Sequence, residues 1–171
     1  MDYVEHEFYK RDETEDMHLS HNRDLYDELF LRIARMHDEV AYRRHLNDYE
    51  GRGGKFKDYP CVSVGAEMYG VAGVGHQRNN ANLQDFHPLV SQELTNRLGN
   101  LNEHSVNYPV CRNLVGHCAE NYAASKVLVK IDPHGTINHP GALRDLAFTK
   151  AFRPRTWKNI DWCDNCHTMF D

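Results

Sequence analysis

The chain has 171 residues, a formal net charge of −5 and 40% hydrophobic residues, which is near the usual size of one domain and enough to bury a core. The acidic balance excludes a protein that grips a long nucleic-acid backbone through bulk electrostatics, because phosphate neutralisation needs clustered Lys and Arg. No stretch reads as a membrane span, and residues 1–6 lack both a basic and an apolar leader, so no signal peptide is expected.

The acid is unevenly placed. Residues 1–50 carry most of it, including the run Asp12, Glu13, Glu15 and Asp16, while the remainder is close to neutral. From about residue 20 to 47 the spacing predicts one or two helices: Leu25, Leu29, Ile33, Met36 and Val40 form an apolar stripe, with Ser20 or Asn22 as N-cap. Gly51, Arg52, Gly53, Gly54 and Lys55 break the pattern and read as a linker. The chain thus divides into a helical, acidic N-terminal extension at 1–55 and a second domain at 56–171. Residues 61–64 and 69–74 predict two short strands joined by a turn. A polar stretch at 75–82 follows, and asparagine serves its turn chemistry well. About residues 83–98 predict a helix. A loop through Tyr108, Pro109 and Cys111 leads to Gly116-His117-Cys118-Ala119-Glu120, at the start of a helix. Its apolar face of Ala119, Tyr122, Ala123, Val127 and Leu128 suits packing on a sheet. Leu146, Phe148 and Phe152 alternate with more polar positions and predict the strand that delivers Cys163-Asp164-Asn165-Cys166.

Together the two cysteine motifs supply three thiolates and one carboxylate. A structural zinc normally closes its shell with four protein ligands, whereas a catalytic one keeps three and leaves a position to water. The inventory is that of the second kind. Glu120, two residues after Cys118, points about 200° away around a helix, better placed to face a bound water than the metal. Cys163 and Cys166, three apart, can share one helical face. A lone Cys-x-x-Cys is otherwise a thiol redox pair or half of a structural zinc knuckle, and both stand as rival readings.

Cys118-Ala119-Glu120 followed by Cys163-x-x-Cys166 resembles the zinc-dependent cytidine-deaminase-like superfamily, whose signature is His/Cys-x-Glu and then Pro-Cys-x-x-Cys. With Lys150-Ala151-Phe152 and the Cys-x-Asn-Cys ending, the chain is most similar to the YwqJ-type deaminases that occur as C-terminal toxin domains, and secondarily to free-nucleoside cytidine deaminases. The resemblance covers about residues 60–171. It implies an α/β fold, a three-layer α/β/α cytidine-deaminase-like sheet with an added helical N-terminal segment. It also implies Zn²⁺ on Cys118, Cys163 and Cys166, with the pKa of its water lowered from ~15.7 towards ~7. Glu120 would take that water's proton and return it to the ring nitrogen and the leaving amine as hydroxide attacks the aminated carbon.

The implied function is hydrolytic deamination of a nucleobase, cytosine to uracil favoured, in single-stranded nucleic acid or a nucleotide. The alternatives are a free nucleoside or nucleotide cytidine deaminase and a non-catalytic, zinc-stabilised binding module. The implied setting is a cytoplasmic site of action for a delivered toxin domain, with an immunity protein as partner and no membrane. In the families resembled, an asparagine just past the second strand contacts sugar or base, which makes Asn79 and Asn80 substrate-binding candidates. His117 cannot share the ligand position, since only Cys118 keeps the two-residue offset to Glu120. It reads as a residue supporting the site or filling core, and as a third substrate-side candidate. Trp162 stands where the family has proline, and its indole packs either over the site or into the core. Lys126, Lys130, Arg144, Lys150, Arg153, Arg155 and Lys158 form either a basic rim for phosphates or a solvated loop. Cys61 and Cys111 are expected to be buried free thiols. Because Asp171 follows so soon after the last motif, the sheet is expected to be short. The N-terminal segment or a second copy would cover its edge, so a homo-oligomer is expected.

Overall fold

The computed structural model describes residues 25, 27–31, 34–35, 61–154 and 156–171. The N-caps Ser20 and Asn22, the stripe positions Ile33, Met36 and Val40, the acidic run and the linker lie outside the described residues, as does most of the 1–55 segment.

Val64, Ala66 and Met68 are buried on one face of β1 (Ser63–Met68) and Ser63 and Gly65 on the other, and the strand pairs antiparallel with β2 (Val71–His76) from Ser63↔His76 to Met68↔Val71. Tyr69 and Gly70 form the two-residue connection, with φ of 52° and 79°. Positive φ at both positions is what a type I′ hairpin turn demands, and glycine accepts it at no steric cost. Both strands therefore run further along the chain than the expected 61–64 and 69–74.

On its other side β1 meets an interrupted strand, β3 (Ala147–Phe148) and β4 (Ala151–Arg153). The pairings Ala66↔Phe148 and Ser63↔Phe152 differ in register by one residue, the mark of a bulge at Thr149 and Lys150. The Thr149 side chain repairs the ladder: its Oγ1 accepts from Gly65 N–H at 3.0 Å and donates to Lys150 O at 2.8 Å. After Arg153 the chain reverses and returns as β5 (Lys158–Ile160), antiparallel to β4. Thus β5, rather than the 146–152 segment, delivers the cysteine pair. The result is a mixed α/β fold with a five-stranded antiparallel sheet, ordered β2-β1-β4-β5 with β3 also on β1.

Among the described residues, three α-helices follow the hairpin in chain order: α1 (Pro88–Arg97), α2 (Ala119–Ile131) and α3 (Asp164–Phe170). The first starts at Pro88 instead of Leu83, because a residue before proline is pushed out of the helical region and His87 is extended at ψ 143°. His87 is buried, accepts from Leu89 N–H through Nδ1 and pairs through Nε2 with Asp132 at 2.9 Å. That contact pins the start of α1 to the end of α2.

The apolar face of α2 packs on β1 and β2, with Ala119, Tyr122, Ala123, Val127 and Leu128 in one core with Val64, Ala66 and Met68. Contact is close enough that a Cβ on Gly75 would overlap the backbone of Ala119 and Ala123. On the opposite face, Leu29 joins Val74 and Phe152, Phe30 meets Phe152 edge-on with centroids 5.3 Å apart, and Leu25 lies over Gly65. The described helical residues at 25 and 27–31 therefore cover the face that α2 leaves open. Along the outer edge of β2, Lys126 and Lys130 donate to Val74 O and Ala72 O at 2.7 and 2.6 Å. These carbonyls are acceptors that an added strand would need. Among the described residues no helix is long and apolar enough to cross a membrane.

Gly75→Ala should lower stability by ~2 kcal/mol or more, since backbone overlap cannot be relieved by a rotamer change. Urea denaturation measures this, and an unchanged midpoint would contradict the placement of α2 on β2.

Candidate metal centre

Two helix starts converge at one end of the sheet. Cys118 is the N-cap of α2, with an extended backbone at φ −66° and ψ 140°, and Cys163 is the N-cap of α3. Cys166 lies in the first turn of α3, so its side chain returns to the same side as Cys163. The Sγ atoms of Cys118 and Cys163 are 3.4 Å apart and those of Cys163 and Cys166 3.8 Å. All three sulfurs lie within 4.8 Å of one another, the one such group of three metal-binding side chains among the described residues. Metal–sulfur bonds of ~2.3 Å at tetrahedral angles place sulfurs ~3.8 Å apart. The three cysteines could thus hold one metal ion.

The electrostatics of the cluster agree. Contacts with Cys118 and Cys166 hold the Cys163 thiol well below the usual thiol range, while contact with Cys163, with burial, pushes Cys118 well above it and contacts with Cys118 and Cys163, with burial, do the same to Cys166. Three sulfurs this close share one negative charge readily and three only around a cation.

Glu120, the second residue of α2, is 4% exposed. Burial pushes its carboxyl up to about 7, and the charge of Cys163 adds to the rise. It opens, with the three cysteines, onto a small pocket of about 40 Å³. Val62 and Gln77 form one wall at the open end of the hairpin, where Gln77 N–H donates to Val62 O at 2.9 Å. Ala151 and Ile160, paired at the start of the β4–β5 ribbon, form another, and Asn113 and Asp161 complete the mouth. Among the described lining residues the charged side chains beside the thiols are Glu120 and Asp161, both acidic.

The structure brings together Cys118, Glu120, Cys163 and Cys166. It does not bring the other candidates to them. Asn79 and Asn80 are exposed and off the lining, and the side-chain amide there is Gln77. His117 is buried and pairs through Nε2 with Asn102 Oδ1 at 2.9 Å, and burial lowers its pKa. Asn102 also brackets Ala81 through both backbone groups, so His117 ties the motif to the 79–82 turn. Trp162 fills core beneath α3, edge-on to Phe148 with centroids 5.4 Å apart. Cys111 is a buried free thiol as expected, whereas Cys61 is exposed. Arg153 and Lys158 face each other across β4 and β5, exposed and off the lining, and Arg155 lies outside the described residues.

Sequence reasoning missed Gln77, Asn113 and Asp161. Gln77 was within reach as the first polar residue beyond β2. The link between Asn113 and the second motif, Asn165 Nδ2 donating to Asn113 O at 2.8 Å, spans loops that carry no periodic signal. No family model, curated protein or solved structure matches this chain.

Because the folded Glu120 carboxyl titrates near 7 and not near 4.5, the folded state keeps a proton that the unfolded chain has lost. Stability from this group is full below about pH 4.5, falls through about pH 7 and is level above. Glu120→Gln removes the penalty. With metal chelated, the variant should match the parent at pH 4 and exceed it at pH 8 by about 3 kcal/mol, as read by urea denaturation. Equal stability at pH 8 would contradict the buried, raised carboxyl.

Proposed function

We propose that the chain is a zinc-dependent hydrolytic deaminase of an aminated nucleobase, with cytosine favoured, built as a three-layer cytidine-deaminase-like domain. The observation that carries the reading is a buried carboxyl, Glu120, held beside three convergent thiols in an open pocket. A structural thiol site has no use for such a group, since burying it raises the free energy of its charged form. A hairpin, a motif helix packed on it and a second helix carrying the cysteine pair, with Leu25, Leu29 and Phe30 behind the sheet, support the layered architecture.

Cys118, Cys163 and Cys166 would hold the zinc, their donor set being the soft thiolates that zinc favours. Bound there, zinc supplies the Lewis acidity that lets water ionise at ~7. Glu120 would pass one proton of the water to the ring nitrogen of the base and then the second, from the added hydroxyl, to the amine, which leaves as ammonia. A carboxyl titrating near 7 is suited to both halves of that transfer at neutral pH. Gln77 and Asn113 offer amides that can donate and accept at the edge of a base. The pocket is also walled by Val62, Ala151 and Ile160, which limit water around the reacting atoms.

A second reading, a free nucleoside as substrate, is favoured by the acidic character of the described lining, which offers phosphates no cation. The toxin-type reading, with action on bases inside a cell, rests on the Cys-Ala-Glu and Cys-x-Asn-Cys spacing alone.

Ammonia release from cytidine, its phosphates, single-stranded DNA and RNA tests the proposal, with adenosine as the alternative base. Turnover on at least one, lost by a factor of ~10² or more in Glu120→Gln while zinc stays bound, is the expected result. Zinc retention with no turnover on any of them would support the binding module instead.

A further inference from the structure

Asn165 lies on α3, two residues past Cys163 and one before Cys166, 3% exposed and off the pocket lining. Its side chain reaches away from the helix. Nδ2 donates to the backbone carbonyl of Asn113 at 2.8 Å, whereas Oδ1 is buried with no partner. An unpaired buried acceptor offsets what the donor gains, so the amide is poorly explained as a device for stability. Its role lies in what it holds.

Asn113 lines the pocket mouth at the end of an exposed loop. Of residues 106–112, Cys111 is the buried one, while Val106 and Val110 are 74% and 86% exposed. The Cys111 N–H bond to Tyr108 O, 3.0 Å, stays within the loop, and backbone anchorage to the rest of the fold resumes where Val115 N–H meets Glu103 O at 2.9 Å. Asn165 reaches the loop from outside. A segment with so little buried apolar surface opens at low free energy, and a single polar tether then decides where it rests.

The helix itself is held without Asn165. Arg97 Nη1 donates to Thr168 O at 2.9 Å, and Cys166, Met169 and Phe170 are buried in the main core. A change at Asn165 therefore frees the Asn113 wall and leaves α3 with its thiols in place. We infer that Asn165 is a positioning residue that ties the substrate wall to the metal helix: the element presenting Cys163 and Cys166 also fixes the carbonyl of Asn113 and, through it, the direction of the Asn113 amide. This rests on the deaminase reading for the substrate, though not for the tether. A base edge that meets Asn113 is thereby held at a set distance from the thiols, which is the positional part of catalysis. No proton or bond change passes through Asn165.

The test compares the full-length parent with Asn165→Leu, close in volume, and Asn165→Ala, smaller, so that a folding failure in one leaves the other. Zinc stoichiometry and the thiolate charge-transfer spectrum of the cobalt-substituted protein should match the parent in both. Kinetics on cytidine, or on the member of the same substrate panel that the parent turns over, should show KM raised about fivefold or more and kcat within about twofold. Asn113→Ala should raise KM likewise, and adding Asn165→Leu to it should raise KM no further, because the tether then has no amide left to aim. An unchanged KM or additive substitutions would overturn the proposal. So would an altered cobalt spectrum or loss of folding in both variants, because Asn165 would then serve the thiols or the core. Hydrogen exchange needs neither turnover nor metal: peptides spanning 108–114 should exchange faster in Asn165→Leu than in the parent, with those of α2 unchanged. If the parent turns over nothing, the deaminase reading fails, and exchange alone decides the tether, with faster exchange at 108–114 upholding it and equal exchange overturning it.

Discussion

The close approach of α2 to β2 at Gly75 is the constraint on which the rest depends. A helix normally stands off a sheet by the depth of its side chains, but here no side chain intervenes, and the backbone at Ala119 and Ala123 rests against the strand. That contact fixes where α2 begins. Cys118, at its N-cap, consequently sits level with the end of the hairpin, where Val62 and Gln77 close the ladder. Lys126 and Lys130, further along the same helix, reach over the strand to its outward carbonyls and hold the helix along its length. A glycine at one strand position thus decides the position of a thiol on another element.

The second half of the centre is placed by a different device. The bulge at Thr149 and Lys150 lets one strand follow β1, shift register by a residue and then turn back as β5. The shift aims Phe152 at the face covered by Leu29 and Phe30, while Ala151 and Ile160 stay beside the pocket. From the end of β5, Trp162 sinks into core beneath α3 and Cys163 caps that helix. Both halves are therefore set by sheet geometry. Their meeting gives a site in which like charges would repel one another, with Glu120 buried and three thiols in contact. Such a cluster is costly without a cation and favourable around one, since coordination removes the repulsion that the fold imposes.

Much of this was legible in the residues. The Cys118, Glu120, Cys163 and Cys166 set was readable because helix periodicity and ligand number constrain one another, and the structure gathers those four. The α2 face was readable for the same reason, and so was the presence of a hairpin, although Tyr69 and Gly70, expected in its second strand, form its turn instead. Strand ends were less so, because a two-residue turn sets register through backbone φ values that composition does not encode. The bulge was invisible, since Thr149 acts by substituting its hydroxyl in a ladder whose partner is distant in sequence. Asn79 and Asn80 looked like substrate contacts from their place after β2. The 79–82 turn is instead gripped by Asn102 at Ala81, and Gln77 takes the place on the pocket wall.

The central claim is that three thiolates bind one ion and leave a coordination position facing Glu120 and the pocket. X-ray absorption at the zinc edge of the metal-loaded protein measures this directly, because sulfur and oxygen neighbours scatter differently and at different distances. The account predicts three sulfurs at ~2.3 Å and one oxygen at ~2.0 Å. Four sulfurs would contradict it, closing the shell and leaving Glu120 without a reacting partner.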